Sequence, residues 1–384
     1  MRDLLLARFR RPNLQGEHTG FMHYHSVSKS LLQILICITV SAVSVLQAQE
    51  PAAGPETVGA GKNVIVVPED KISTLPQRRN DAYEDWSKPD LTPGMRSETD
   101  VIGEYEDARF KRELIHAQWR DLDPIDLIVV KPVGVAKPPV ILYLYSYPAS
   151  LDRFKDANFC DFLTKNGYAA VGFVLAVTDQ RFHDRPTNQW IVSELQEAMG
   201  ASAHDVQMIL NYLAQRGDVD MTRVGMWGDG AGASVAIMAS AVDPRIEALD
   251  LLDPWGDWPD WLAKSSLVTD EQRDAYLKPE FVASLKNLDP LKWLPQVKAR
   301  EVRMQYITKD LTITPAVVRE RLEAVAPRTV KIVHYENTES FRKEVGLTGT
   351  GFDWIKEQLA SKPVPQKSAR SGAKSTLAAR NSGQ

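Results

Sequence analysis

Between residues 106 and 361 the chain alternates short apolar runs with amphipathic stretches of helical period. Phe110 to Trp119 and Ile125 to Val130 read as two paired strands across the turn Asp121-Leu122-Asp123-Pro124. Val140 to Tyr145, Ala169 to Val177 and Val224 to Trp227 are compact, mostly apolar runs, the kind buried on both faces of a parallel sheet. After Ser202, the residues Val206, Ile209, Leu210 and Leu213 recur at i, i+3, i+4 and i+7, and Gly217 marks a stop. That spacing predicts an amphipathic helix with one apolar stripe. The rhythm continues with strands at Ala248 to Leu252, Val302 to Ile307 and Val330 to Tyr335, a helix opened by Pro315, and a last helix carrying Phe352, Ile355 and Leu359. Strands that alternate with helices imply an α/β domain whose mainly parallel sheet is covered by helices on both faces. The stretch 253–300, after the sixth strand, interrupts the rhythm and holds Trp255, Trp258 and Trp261. An insertion at the carboxyl end of a strand is where a lid would sit.

Both ends differ from this middle. Leu31 to Leu46 is an uncharged apolar run, preceded by Arg8, Arg10, Arg11 and Lys29 and followed by Gln47-Ala48-Gln49-Glu50. This is the layout of a secretory signal peptide over 1–48, and it predicts an exported, periplasmic or extracellular protein. An uncleaved membrane anchor is the alternative, although the run is shorter than the ~20 residues a spanning helix needs. Met22 is a second candidate start. Residues 49–105, rich in Pro, Gly, Asp and Arg, predict an extended arm or linker. Residues 362–384, basic and rich in Ser, Ala and Gly, predict a disordered tail.

Loss of 1–48 removes five basic and two acidic side chains and moves the formal net charge from −4 to −7. A mildly acidic exported domain gives no electrostatic case for nucleic acid, and the mature chain carries no expected membrane span. Cys37 lies in the leader behind Ile36, where a lipid-attachment signal would place a small residue. Cys160 is then the lone cysteine, in an apolar stretch, which excludes an internal disulfide and points to a packing role.

The richest motif is Val224-Gly225-Met226-Trp227-Gly228-Asp229-Gly230-Ala231-Gly232. It reads as a strand turning sharply into a helix through G-x-Nuc-x-G, a turn that lifts a nucleophile above a sheet beside backbone N–H donors. Gly228 and Gly232 supply the small flanks. Gly230, at the nucleophile position, supplies no side chain.

With this motif, including Thr222-Arg223 leading into it, the chain resembles the α/β-hydrolase superfamily, in particular its prolyl oligopeptidase-like and dienelactone hydrolase-like branch, over roughly Phe110 to Leu359. The resemblance implies the α/β-hydrolase fold, a serine at position 230, an acid after the seventh strand and a histidine after the eighth. Asp310 matches the acid position. The histidine position falls near Asn337-Thr338-Glu339-Ser340-Phe341, and no histidine follows His334, which lies within the preceding strand.

Without Oγ nothing attacks a carbonyl, and without imidazole nothing carries a proton to the leaving group. In a serine protease the loss of such a residue costs on the order of 10⁶ in kcat. Asp229 is the nearest substitute nucleophile, but that reading puts bulky Trp227 where a small flank is needed; bracing of the turn or solvent exposure is its other role. Ser234, one helical turn on, is read as packing against the sheet. His183, in the polar loop 179–185, either borders the pocket or braces the loop. Ala231 N–H opens a helix, and Tyr145-Ser146-Tyr147-Pro148 takes the place where the resemblance puts an oxyanion loop, so Ser146 and Tyr147 are candidate pocket residues. Trp255, Trp258 and Trp261 form either an aromatic platform for a sugar or apolar ligand or an anchor of the insertion to the core. No phosphate-cradling loop, dinucleotide fingerprint or metal-ligand cluster occurs, so no cofactor and no metal is expected.

The sequence therefore predicts an exported module that binds a small molecule, sugar or peptide, or acts as a scaffold, without serine-hydrolase catalysis. A hydrolase of ester, peptide or carbohydrate acyl bonds working through nonstandard residues such as Asp310 is the alternative, and a structural envelope protein is a third.

Overall fold

The computed structural model describes residues 84–91, 98–120, 123–146, 151–177, 191–309, 313–346 and 351–360. The expected leader and basic tail lie outside these residues, as do Tyr147, His183 and Asp310.

The strands are β1 (Glu98–Glu106), β2 (Phe110–Gln118), β3 (Ile125–Pro132), β4 (Pro139–Leu144), β5 (Ala169–Phe173), β6 (Asp220–Asp229), β7 (Ile246–Leu252), β8 (Glu301–Ile307) and β9 (Lys331–Tyr335). They form one sheet in the order β1-β2-β3-β5-β4-β6-β7-β8-β9. Pairing is antiparallel from β1 to β5 and parallel across the remainder. Every residue of β4 is buried, with Leu142 and Leu144 on one face and Ile141 and Tyr143 on the other. Burial on both faces is why this strand is a continuous apolar run rather than an alternating one.

Helices α1 (Ala157–Thr164) and α10 (Asp353–Ala360) cover one face of the sheet, and α2 (Leu195–Arg216) and α3 (Ala231–Val242) cover the other. Cys160 is buried in α1, where its Sγ lies 3.1 Å from the Phe154 carbonyl. Gly217 caps α2 in the left-handed conformation at φ 69°, as the stop signal predicts. The expectation of a single apolar stripe on α2 is corrected: every residue from Ala198 to Leu210 is buried, including His204, Asp205 and Gln207.

Residues 84–91 account for that burial and revise the expected arm. This segment forms a strap across α2. The Lys88 carbonyl lies 2.9 Å from His204 Nε2, Pro89 O accepts from Gln207 Nε2 at 2.7 Å, and Leu91 N donates to Gln207 Oε1 at 3.1 Å. Glu84 accepts two hydrogen bonds from Arg120, each 2.6 Å, while Arg120 also donates to Asp205. Burial opposes ionisation of Glu84, yet the hydrogen bonds and charges of His204 and Arg120 prevail and hold its carboxyl at about 2. Glu98–Glu106, also assigned to the arm from sequence, is the first strand of the sheet.

The insertion after β7 folds into α4 (Trp258–Lys264), α5 (Asp270–Tyr276), α6 (Pro279–Leu285) and α7 (Pro290–Trp293), and α8 (Ala316–Val325) and α9 (Thr338–Phe341) follow it. Trp255, Trp258 and Trp261 are core residues, 2%, 1% and 0% exposed; Trp255 stacks on Trp261 at 4.9 Å, and Trp258 meets Trp261 edge-on at 5.7 Å. They present no exposed aromatic platform; of the two readings of these residues, the anchor is the one observed.

Candidate functional site

β6 runs straight into α3 through Gly230, which adopts φ 54° and ψ −117°. A side-chain-bearing residue is strained there, and such strain is characteristic of functional turns. The flanking glycines are required by close approach. A Cβ on Gly228 would lie 2.6 Å from the Ala233 Cα, and one on Gly232 would lie 2.2 Å from the Leu144 carbonyl oxygen. The backbone of a nucleophile elbow is therefore complete: the Gly230 N–H donates to Leu252 O at 2.8 Å, and α3 begins immediately after.

The space above Gly230 is bounded by two side chains. A Cβ at 230 would stand 3.0 Å from Ser146 Oγ and 3.1 Å from Trp255 Nε1. Ser146, at the end of β4, receives the backbone N–H of Ala231 at 3.2 Å. This brings together Ser146, Gly230, Ala231 and Trp255 from the expected site. Trp258 is placed elsewhere, its indole N–H donating to Leu288 O at 3.0 Å inside the insertion. Ser234 does more than pack. Its hydroxyl donates to Trp255 O at 2.9 Å and accepts from Trp255 N at 2.8 Å, clamping the start of the insertion to α3.

Asp229, half-buried at the end of β6, is one of two carboxyls at the elbow among the described residues. The other, Asp253, was not legible in the sequence. It follows β7 at φ 45°, is 3% exposed, and accepts the Ile307 N–H at 3.2 Å. Burial pushes its carboxyl up to about 8, and the charge of Asp229 adds to that rise, against the Ile307 hydrogen bond and Arg319. Asp253 thus carries a proton at neutral pH. Its only sequence signal is an aspartate directly after an apolar strand, Leu249-Asp250-Leu251-Leu252-Asp253.

His334 lies in β9, half exposed, with Nε2 2.7 Å from Glu323 Oε1, and so belongs to the far edge of the sheet rather than to the elbow. Among the described residues no cluster of His, Cys, Asp or Glu is arranged to hold a metal ion, and no helix is long and apolar enough to cross a membrane. Two grooves in the described residues lie away from the elbow, one beside Arg303, Tyr335 and Trp354 and one at Glu106, Asp107 and Val133.

No protein-family model and no curated protein matches the chain. Solved structures do. An acetyl xylan esterase from Paenibacillus sp. R4 is 15% identical with a TM-score of 0.53, covering 68% of this chain and 89% of that one. Acetyl xylan esterase 1 from Thermoanaerobacterium sp. JW/SL YS485 is 13% identical with a TM-score of 0.52, covering 76% of this chain and 99% of that one. Together with the sheet order and the elbow, these likenesses show that the chain has the α/β-hydrolase fold.

Proposed function

We propose that this chain is an exported α/β-hydrolase-fold protein without serine-hydrolase catalysis, acting as a binding or scaffolding module. One observation carries the reading: the elbow keeps its backbone at Gly230, while the Ala231 N–H that would face a developing oxyanion is engaged by Ser146 Oγ at 3.2 Å. An elbow without a hydroxyl has nothing to acylate, and an amide already bonded to a neighbour is not poised for transition-state charge. The charged-then-apolar leader supports export.

A hydrolase working through nonstandard residues is the second reading. The Asp253 carboxyl favours it, because a buried acid titrating near neutrality is a suitable proton donor.

A fluorophosphonate probe, followed by a panel of esters and peptides, separates the two. The proposal expects no labelling and no turnover. Turnover abolished by Asp253→Asn or Asp310→Ala would establish the second reading in its place. A thermal-shift screen with sugars and peptides then distinguishes binding from scaffolding, since a ligand selective for the folded state raises its Tm.

A further inference from the structure

We propose that the strap is a proton-dependent latch: His204 holds residues 84–91 on α2 as the imidazolium cation and lets go at Lys88 when it loses a proton. The latch stands apart from the elbow and does not depend on whether the elbow is catalytic.

The bonds of the ring fix its protonation. His204 is fully buried, with Nδ1 2.7 Å from Glu84 Oε1 and Nε2 2.9 Å from the Lys88 carbonyl oxygen. A carbonyl oxygen only accepts, so Nε2 carries a proton. Arg120 donates to both oxygens of the buried Glu84, at 2.6 Å each, and the carboxyl is held at about 2, so Glu84 is an ionised carboxylate. It too only accepts, and Nδ1 must carry a proton as well. Either neutral tautomer would turn a ring lone pair toward an acceptor oxygen at 2.7 or 2.9 Å. In a buried site that contact is repulsive.

Among the described residues, the other charged groups around the ring are Arg120 and Asp205, which bond one another, and Asp123, 3.5 Å from Arg120. Lys88 turns its own ammonium outward to Asp85, within the strap, so its carbonyl is what ties it to His204.

Charge also decides which contact is lost. A hydrogen bond to a carboxylate is stronger than one to a neutral carbonyl, so the neutral ring keeps its proton on Nδ1 for Glu84. Nε2 then faces the Lys88 carbonyl with a lone pair, and the strap is released there. Pro89 O and Leu91 N, both bonded to Gln207, are the next contacts along the strap to feel it. The closed strap binds one proton more than the released one, so linkage favours release as pH rises. Acid does not open it over the same range, because Glu84 stays ionised down to about 2.

The experiment follows the full chain by NMR from about pH 5 to about pH 9, spanning ordinary histidine titration. The His204 ring nitrogens, assigned from His204→Asn, report its protonation. Exchange of the Leu91 amide, corrected for the pH dependence of the chemical step, reports the strap. An Asp253→Asn background removes the titration of Asp253 from the same range. The expected result is a doubly protonated ring at low pH and loss of the Nε2 proton as pH rises. Leu91 protection should fall about fivefold on the same curve, the worth of one hydrogen bond, while amides of β4 keep theirs. Asparagine places a donor near the position of Nδ1 and none at that of Nε2, so His204→Asn should show the lowered protection at every pH. Should that variant not fold, the wild-type titration decides alone. A ring with one proton throughout, a doubly protonated ring that never titrates, or Leu91 protection unchanged while the ring loses its proton would each overturn the latch.

Discussion

The Ser146 hydroxyl accepts the Ala231 N–H at 3.2 Å and so ties the end of β4 to the first turn of α3. In a working elbow that amide is aimed at a substrate oxygen; here it is part of the fold. Ser146→Ala leaves the amide without this partner and is expected to lower stability by about 1 kcal/mol while conferring no esterase activity. Urea unfolding and an ester assay on the same preparation check both.

Gly230→Ser would restore the missing hydroxyl in name only. The new Cβ would press on Ser146 Oγ and Trp255 Nε1 at 3.0 and 3.1 Å, at a backbone φ of 54°. Strain of this kind costs about 1–3 kcal/mol, so the variant should melt below the wild type. It should also remain inactive, since among the described residues no imidazole stands at the elbow. Substantial esterase activity in this single variant would show that a proton carrier is already in place.

Asp253 gives the chain a characteristic response to pH. Its folded-state carboxyl, at about 8, lies above its unfolded value, so the folded state holds the proton more tightly. Its contribution is complete below the unfolded value of about 4 and is lost as pH rises toward 8. Asp253→Asn keeps an oxygen for the Ile307 N–H and cannot ionise. Its Tm should match the wild type near pH 4 and exceed it near pH 8. A constant difference across that range would show that Asp253 does not titrate as described.

The strap offers a separate test. A Cβ on Gly200 would lie 2.1 Å from the Trp86 carbonyl oxygen, so Gly200→Ala must displace residues 84–91 from α2. Arg120→Ala removes the guanidinium that bonds both Glu84 and Asp205, whose side chains are fully buried, and breaking such a network costs about 3–5 kcal/mol. Limited proteolysis should cut both variants near the strap under conditions in which the wild type resists, with Arg120→Ala also lowering Tm. Equal resistance would mean that the strap is held by other contacts.

The order of strands and helices from Phe110 onward was legible because the central strands are buried on both faces and the elbow demands glycine at fixed spacing. Gly228, Gly230 and Gly232 marked the strand-to-helix turn that the structure shows between β6 and α3. β1 was not legible: Glu98, Asp100, Glu104 and Glu106 give an edge strand no apolar signature, and its partner is β2 rather than the core. The strap escaped for a different reason. Glu84 acquires its role only from Arg120 and His204, residues far along the chain. Asp253 escaped because its proton affinity comes from burial, which no local pattern encodes. The three tryptophans were located, but their spacing served a platform and an anchor equally well until the insertion was seen to fold against the core.

The ion pairs beneath the strap also fix where the folding unit begins. A recombinant chain started at Glu106, where the alternating strand and helix pattern begins, would lack Glu84 and leave the Arg120 guanidinium and His204 imidazole facing one another without their shared carboxylate. It would also strip the outer covering from a helix whose central residues are built for an interior. Expression boundaries for this protein accordingly belong upstream of Glu84.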